Sequence, residues 1–370
     1  DASGGMFDVG PTVLPDEPVG GNLTVDMDTT FGDDAAILHV ATGNNVWNLA
    51  NHSKAVSAHF NAGMAYEYYL ANHSRNSING RGGSMISLIN VSDPENGNPL
   101  DNAFWNGKAM FYGNGIIGFK PLAGGLDVAG HEMTHGVVEN TANLEYEGES
   151  GAINESIADI FGSMMDPSDW DIGEDVVKPA AFPSGALRSL EDPHNGGTSL
   201  GDPGFQPKHM NEKYTGTEDN GGVHINSGIP NHAFYLYAEA ITREKAADVY
   251  YKALDDYLTK SSQFIDLRLA VIAAAEDLFG AGSNEATQAG VAFDAVGITT
   301  GEGGEYEEEL PENPGNEFLL IYNTFQGDAN TVYRAPVNLE VANPLTTTDA
   351  LCRPSVTDDG SFAVFVAGDK

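Results

Sequence analysis

Cysteine is almost absent from this chain: Cys352 is the only one in 370 residues, so no intrachain disulfide can form. Size or bound metal must supply the rigidity that disulfides give to small secreted domains. Positive charge is scarce as well. Only 17 Lys and Arg face 54 Asp and Glu, a net charge of −37. Such a surface repels nucleic acid and anionic membranes and excludes both as expected partners. Two readings of the charge stay open. One is solubility in salty water, where counterions screen self-repulsion; the other is binding of hard cations such as calcium, which prefer carboxylate oxygens. Long apolar runs are missing too. The densest, 267–275, is short and carries Arg268, against the roughly 18 residues a bilayer span needs. A soluble protein is expected. The chain begins at Asp1 and reads as processed or cut from something longer, with no signal peptide left to recognise.

What is present suits a sizeable globular protein. Hydrophobic residues make up 41 %, enough for an ordinary core, and the length suggests two or three domains. Residues 1 to about 50 are rich in Gly, Asp, Thr and Val and read as short strands. Residues 53–73 read as a helix, with Val56, Phe60, Met64 and Tyr68 repeating at four-residue spacing near one face. Residues 81–122 return to strands and turns, and helical patterns follow at 126–140 and 150–165. Residues 166–230 are loop-rich, and 232–293 are nearly all helical, with breaks near Thr242, Ser261 and Gly280. Residues 301–316 form an acidic Gly/Pro/Glu linker by composition. Beyond it, 318–322 and 362–366 read as strands, with Asp358-Asp359-Gly360 as a hairpin turn.

The chemistry concentrates at His131-Glu132-Met133-Thr134-His135. Histidines four apart on a helix share a face, which puts two neutral nitrogens on one tetrahedral zinc. Glu132 is one residue round from His131, beside the metal without ligating it, where a general base for an activated water belongs. A catalytic zinc needs a third protein ligand and an open fourth position. The next helix offers Glu155 as that ligand, and Asp159, one turn on, as an acceptor that orients an imidazole. Ile153, Ile157 and Ile160 alternate with these acids, so one face of the helix is expected to be semi-buried. Further on, Asp219-Asn220-Gly221-Gly222-Val223-His224 supplies a histidine that can donate to an oxyanion, with Asp219 able to hold it protonated. Five Asn-x-Ser/Thr sequons occur, at Asn22, Asn51, Asn72, Asn90 and Asn154. A glycan at Asn154 would obstruct the metal site, so the sequons read as chance.

Segments 131–135, 154–159 and 219–224 together resemble the thermolysin family of zinc metalloproteases. The likeness runs from about 46 to 298, through Asn102-Ala103-Phe104-Trp105-Asn106-Gly107, Gly124-Gly125-Leu126-Asp127 and Leu187-Arg188-Ser189. It implies an α+β fold of two lobes: a β-rich lobe over 1–138 that includes the zinc helix, and an all-helical lobe over 139–300, with the cleft between them. The linker 301–316 and a short β extension over 317–370 follow. The resemblance assigns His131, His135 and Glu155 to one catalytic zinc, Glu132 to water activation, and Tyr146 and His224 to the tetrahedral intermediate, with Asp219 orienting His224. Asn102 and the Ala103 backbone would grip an extended substrate, and Arg188 would hold the carbonyl next to the cut. Phe119, Leu122, Val128, Ile172, Val176 and Leu187 match the apolar pocket for the residue after the scissile bond. Asp127, Asp166, Asp169, Asp171 (through its carbonyl) and Glu174 fall where the family binds calcium. The loop between Asp159 and Asp169 looks shorter than is usual, with Asp166 where a Glu is usual, so one calcium is expected there, not a pair. No equivalents of further calcium sites are evident near 45–52 or 176–186.

The implied protein is a secreted, bacterial, monomeric neutral endopeptidase acting on proteins or peptides, cutting on the amino side of large apolar residues. The acid surface suggests a marine or saline source. The rival is a calcium-stabilised binding protein on a dead protease scaffold, but dead scaffolds usually lose the base or a ligand, and all four residues are here. Residues 353–356 and 358–366, with Pro344-Leu345-Thr346, resemble one blade of a TolB-type β-propeller. Propellers need at least ~4 blades, so either the chain is truncated or the segment packs as a small sheet.

Overall fold

A computed structural model of the chain describes residues 52–299 without a break, together with 7–11, 20–30, 37–40, 42, 46–48, 318–322, 331–336, 338–339, 341–345, 355–356 and 363–364. The chain divides into two compact units, Asp1–Gly304 and Glu305–Lys370.

The first unit opens with a six-stranded sheet of β1 (Phe7–Pro11), β2 (Asn22–Asp26), β3 (Leu38–Val40), β4 (Met85–Val91), β5 (Ala103–Trp105) and β6 (Met110–Gly113), in the order β1-β3-β2-β4-β6-β5. The central β2, β4 and β6 run parallel, while β1, β3 and β5 are antiparallel to their neighbours. Every residue of β4 is buried, as a strand covered on both faces should be. Helix α1 (Ser53–His73) covers one face. Its buried row is Ala55, Ala58, Ala62, Ala65 and Tyr69, whereas Val56, Phe60 and Met64 are exposed. This corrects the face expected from the larger residues. The alanines follow the alternating three- and four-residue step of a true helical stripe, and small side chains let the helix lie close on its neighbours.

Helix α2 (Leu126–Glu139) follows a 3-10 turn, Leu122–Gly124. The amide of Asn61 on α1 donates to the carbonyls of Ala123 and Gly125, which ties down the entry to α2. Helix α3 (Gly148–Met165) is buried on every side from Ser150 to Ser163, not on one face as expected. The physical reason is its central position: α2 packs on one side and α4 (Glu218–Asn226), α5 (Gly228–Ile241), α6 (Arg243–Asp256) and α7 (Phe264–Phe279) pack around the rest. Helix α8 (Asn284–Ala295) closes the set. The breaks fall at Thr242, in residues 257–263 and at Gly280, close to where they were expected. In the long loop, β7 (Asp171–Ile172) pairs with β8 (Arg188–Ser189). None of the described helices is long and apolar enough to cross a membrane.

The second unit contains a three-stranded antiparallel sheet, β9 (Phe318–Tyr322), β10 (Val332–Pro336) and β11 (Asn343–Pro344), and a pair, β12 (Ser355–Val356) with β13 (Ala363–Val364). Strand β10, absent from the reading of the sequence, buries Val332 and Ala335. The linker 301–316, the Asp358-Asp359-Gly360 turn, Arg353, Pro354, Thr346, Cys352 and Asn51 lie outside the described residues.

Candidate metal centre and active-site cleft

Helices α2 and α3 touch through glycines. A Cβ at Gly130 would stand 2.7 Å from Met165 Sδ, and one at Gly162 would stand 2.7 Å from the Asp127 carbonyl oxygen. This approach turns His131 and His135 of α2 onto Glu155 of α3. His131 Nε2 lies 3.5 Å from Glu155 Oε2, His135 Nε2 lies 3.4 Å from Glu155 Oε1, and the two Nε2 atoms are 3.0 Å apart. Ligands ~2.0–2.1 Å from one tetrahedral centre stand ~3.3–3.4 Å from each other, so the three side chains fit a zinc ion.

The outer contacts agree. His131 Nδ1 donates to Asp159 Oδ1 at 2.9 Å, and His135 Nδ1 donates to Asn154 Oδ1 at 2.8 Å. With both Nδ1 protons committed, the neutral form of each ring turns its Nε2 lone pair inward. Glu155 Oε2 is buried and has no hydrogen-bond partner. Burial opposes its charge, yet the histidines hold its carboxyl well below the usual range. Burial likewise opposes charge on His135, but Glu155 lifts it to about 9. Asp159 also overcomes its burial, held down to about 2 by Arg188 and His131. The centre is one that calls for positive charge.

Around it stand the other expected groups. Tyr146 donates its hydroxyl to Glu155 Oε1, and its oxygen lies 3.1 Å from His224 Nε2. Burial and Glu155 raise the pKa of that phenol, so it stays a donor. His224 Nδ1 donates to Asp219 Oδ1 at 2.6 Å, and the His224 amide donates to Asp219 Oδ2 at 2.8 Å. Four consecutive residues, Asp219, Asn220, Gly221 and Gly222, have left-handed φ of 56, 50, 81 and 85°. That coil folds Asp219 back onto His224, and only Gly, Asn and Asp tolerate it readily.

A cleft of about 690 Å³ runs over these groups. One face of α2 forms its floor: Val128, His131, Glu132, His135 and Glu139 all line it. Asn102, Ala103, Phe119, Leu122, Ile172, Leu187 and Arg188 line it as expected. Val176 does not. It is buried behind the wall, against Gly124, and its carbonyl accepts the Lys120 amide. Among the described residues, β5 is the last strand in the sheet order, and Ala103, Phe104 and Trp105 of that strand line the cleft. Arg188 makes two bonds to Asp159, Nε to Oδ2 at 2.9 Å and NH2 to Oδ1 at 2.7 Å, and Asn231 donates to the same Oδ2 at 2.9 Å. Phe104, Trp105, Glu139, Asn143, Leu144 and Asn154 also line the cleft, and the sequence analysis gave none of them a role in the site. For Asn154 the signal was available, since an amide beside a ligating Glu on a buried helix needs a polar partner.

A second cluster lies at the start of α2. Carboxylate oxygens of Asp127, Asp166 and Glu174 lie within 4.8 Å of one another. Asp127 Oδ1 and Glu174 Oε2 are buried without a partner. Burial first, then neighbouring carboxylates, pushes Asp127 up to about 6 and Glu174 up to about 8. Oxygen ligands, crowding and orphaned lone pairs suit calcium. Asp169 and Asp171 are outside this group: Asp169 Oδ1 accepts the Asp171 amide at 2.9 Å, and the Asp171 side chain bonds Ser189. Among the described residues no third such cluster occurs.

Two family models match the chain: the catalytic domain of thermolysin metallopeptidases over residues 16–139 and their alpha-helical domain over residues 142–298. The chain is 47 % identical to a bacillolysin of Brevibacillus brevis over 255 residues, covering 66 % of this chain and 46 % of that protein. It is 44 % identical to neutral protease B of Bacillus subtilis (strain 168) over 270 residues, covering 70 % and 47 %. Among solved structures it is similar to the precursor of protealysin, a metalloproteinase from Serratia proteamaculans. That match has a TM-score of 0.66 at 31 % identity and covers 77 % of this chain and 90 % of that one. The chain spans about half the length of the curated relatives it matches. Two matching domains, a likeness in structure and a histidine–glutamate centre on the floor of one cleft agree: this chain belongs to the thermolysin family of metallopeptidases.

Proposed function

We propose that the protein is a secreted zinc endopeptidase that cleaves on the amino side of large apolar residues. The observation that carries this is the set of His131, His135 and Glu155 atoms at tetrahedral spacing, with Glu132 beside them on the cleft floor. A zinc ion held by these three residues would supply a Lewis acid that polarises a carbonyl and acidifies a water.

The chain's own groups do the rest. Glu132 takes the proton of the attacking water and hands it to the departing amine. Tyr146 and His224 donate to the oxygen that becomes negative as the carbonyl is attacked, and Asp219 keeps the imidazole oriented for this. The Ala103 backbone at the start of β5 and the side chain of Asn102 hold the peptide extended. Arg188, fixed by Asp159, holds the neighbouring carbonyl. Phe119, Leu122, Val128, Ile172 and Leu187 make an apolar recess beside the centre, which selects Leu, Ile, Phe or Val after the cut. Calcium at Asp127, Asp166 and Glu174 serves as a structural clamp, and the protein acts as a monomer.

Casein hydrolysis by wild type and Glu132→Gln, with and without a zinc chelator and with bound zinc counted, tests the reading. The expected result is wild-type cleavage before large apolar residues, abolished by the chelator. Glu132→Gln should keep one zinc and lose roughly 10²–10⁴-fold in rate. Wild type that binds zinc but cleaves nothing would favour the dead-scaffold alternative.

A further inference from the structure

The cleft floor continues past the metal centre. On α2 the stripe Val128, Glu132, His135 and Glu139 runs from the apolar recess, through the centre, to the last residue of the helix. Glu139 is seven helical steps on from Glu132, about 10 Å at ~1.5 Å per residue. An extended peptide covers that distance in about three residues. The apolar recess lies at the opposite end, so Glu139 stands beside the second or third residue before the cut.

Glu139 is an exposed carboxylate, and its Oε2 accepts the Trp105 indole N–H at 2.8 Å. Trp105 is seated against α2 where Gly136 leaves room: a Cβ there would stand 3.1 Å from the ring. A neutral acceptor would serve the indole equally well. A carboxylate on the last turn of a helix instead sits against the negative end of the helix dipole, where a cation is preferred. No basic residue of that turn answers it. An indole beside a carboxylate with no ion-pair partner among the described residues, both lining the cleft, is the chemistry that receives an ammonium or guanidinium.

We infer that Glu139 and Trp105 form a subsite for a Lys or Arg side chain at the second or third position before the cleaved bond. This rests on the proposed peptidase reading and on which end of the cleft takes the apolar residue.

The test uses N-acetylated, C-amidated, internally quenched peptides with one Leu after the cut. Blocking the ends removes the free α-amine as an alternative cation. Lys, Met or Glu is placed at the second or the third preceding position, and kcat/KM is measured at low salt. Wild type is expected to prefer Lys over Met by roughly three- to tenfold at one of the two positions and to disfavour Glu. Glu139→Gln keeps an acceptor for the indole, and in it the Lys/Met ratio should fall to about one. Glu139→Lys should invert the order in favour of Glu, a reversal that a purely structural role would not produce. A wild-type ratio of one at both positions overturns the subsite. So does a preference that survives in Glu139→Gln, which would belong to the overall negative charge. Peptides cut before Leu without a charge effect sink only this inference, whereas no cleavage before Leu sinks the peptidase reading and the subsite with it.

Discussion

The glycine contact between α2 and α3 sets the metal centre, and Gly162→Ala tests it. A Cβ there would lie 2.7 Å from the Asp127 carbonyl oxygen and 3.4 Å from the His131 backbone nitrogen. Ordinary contacts stand near ~3.5 Å, so the helices must separate by about half an ångström or more. Two effects compete. Alanine gains about 1 kcal/mol over glycine in helix propensity, and overpacking a buried contact costs about 1–3 kcal/mol. Overpacking wins, and the net loss is about 1 kcal/mol. The metal reads the change more sharply. Ligand distances are tolerated within about 0.2 Å, while His131 and Glu155 sit on the two helices being pushed apart. Zinc affinity is expected to fall by about 10–100-fold, the size seen when ligand orientation is lost. Gly290→Ala is the control. It lies in α8, and its Cβ would meet nothing closer than 3.8 Å, so propensity alone acts and stability rises by up to ~1 kcal/mol. The assays are zinc competition against a fluorescent chelator and urea unfolding. Gly162→Ala with wild-type zinc affinity, or with the same gain in stability as Gly290→Ala, would refute the reasoning.

Asp159→Asn should weaken zinc binding by about 10–100-fold and cost about 3–5 kcal/mol, because Arg188 is left buried without its partner; a second change, Arg188→Met, should restore part of the stability but not the zinc affinity. A calcium-free protein should lose stability as pH rises from about 4 to about 8. The folded state keeps protons on Asp127 (about 6) and Glu174 (about 8) that the unfolded chain has released. The Asp127 part is about 3 kcal/mol, and denaturant midpoints at pH 5 and 8, with and without calcium, would contradict this by rising with pH in calcium-free buffer. Arg243→Ala should loosen calcium as well, measured by calcium titration of the thermal midpoint. Its guanidinium donates to the Ser163, Pro167 and Asp169 carbonyls and lies 3.7 Å from the Trp170 ring centre. Arg243→Lys should fail to rescue it, since an ammonium lacks the planar fork, and a full rescue would count against this role.

The candidate metal cluster was legible because His131 and His135 stand four apart on one helix, and Glu155 was reached through the next helix and the resemblance carried by 154–159. The helices of 232–293 were legible because good helix formers and breakers punctuate them. The buried face of α1 was misread because large apolar residues attract attention, whereas close packing selected Ala55, Ala58, Ala62 and Ala65. Asn231, which braces Asp159, could not be placed because its partner lies 72 residues away in sequence. Val176 carries the right chemistry for the recess but stands one layer behind it. Glu139 looks like any surface acid until Trp105 is seen on it.

The left-handed coil at 219–222 has a consequence for mutational scanning. Gly221 and Gly222 have no side chains with which to touch a substrate. Yet a Cβ at Gly222 would stand 2.7 Å from the Tyr214 ring, and both positions need φ above 80°. A saturation library scored for growth or turnover should find almost no acceptable replacement at either. Such a map would rank two empty positions beside the catalytic ones, and their intolerance would report only where His224 is held.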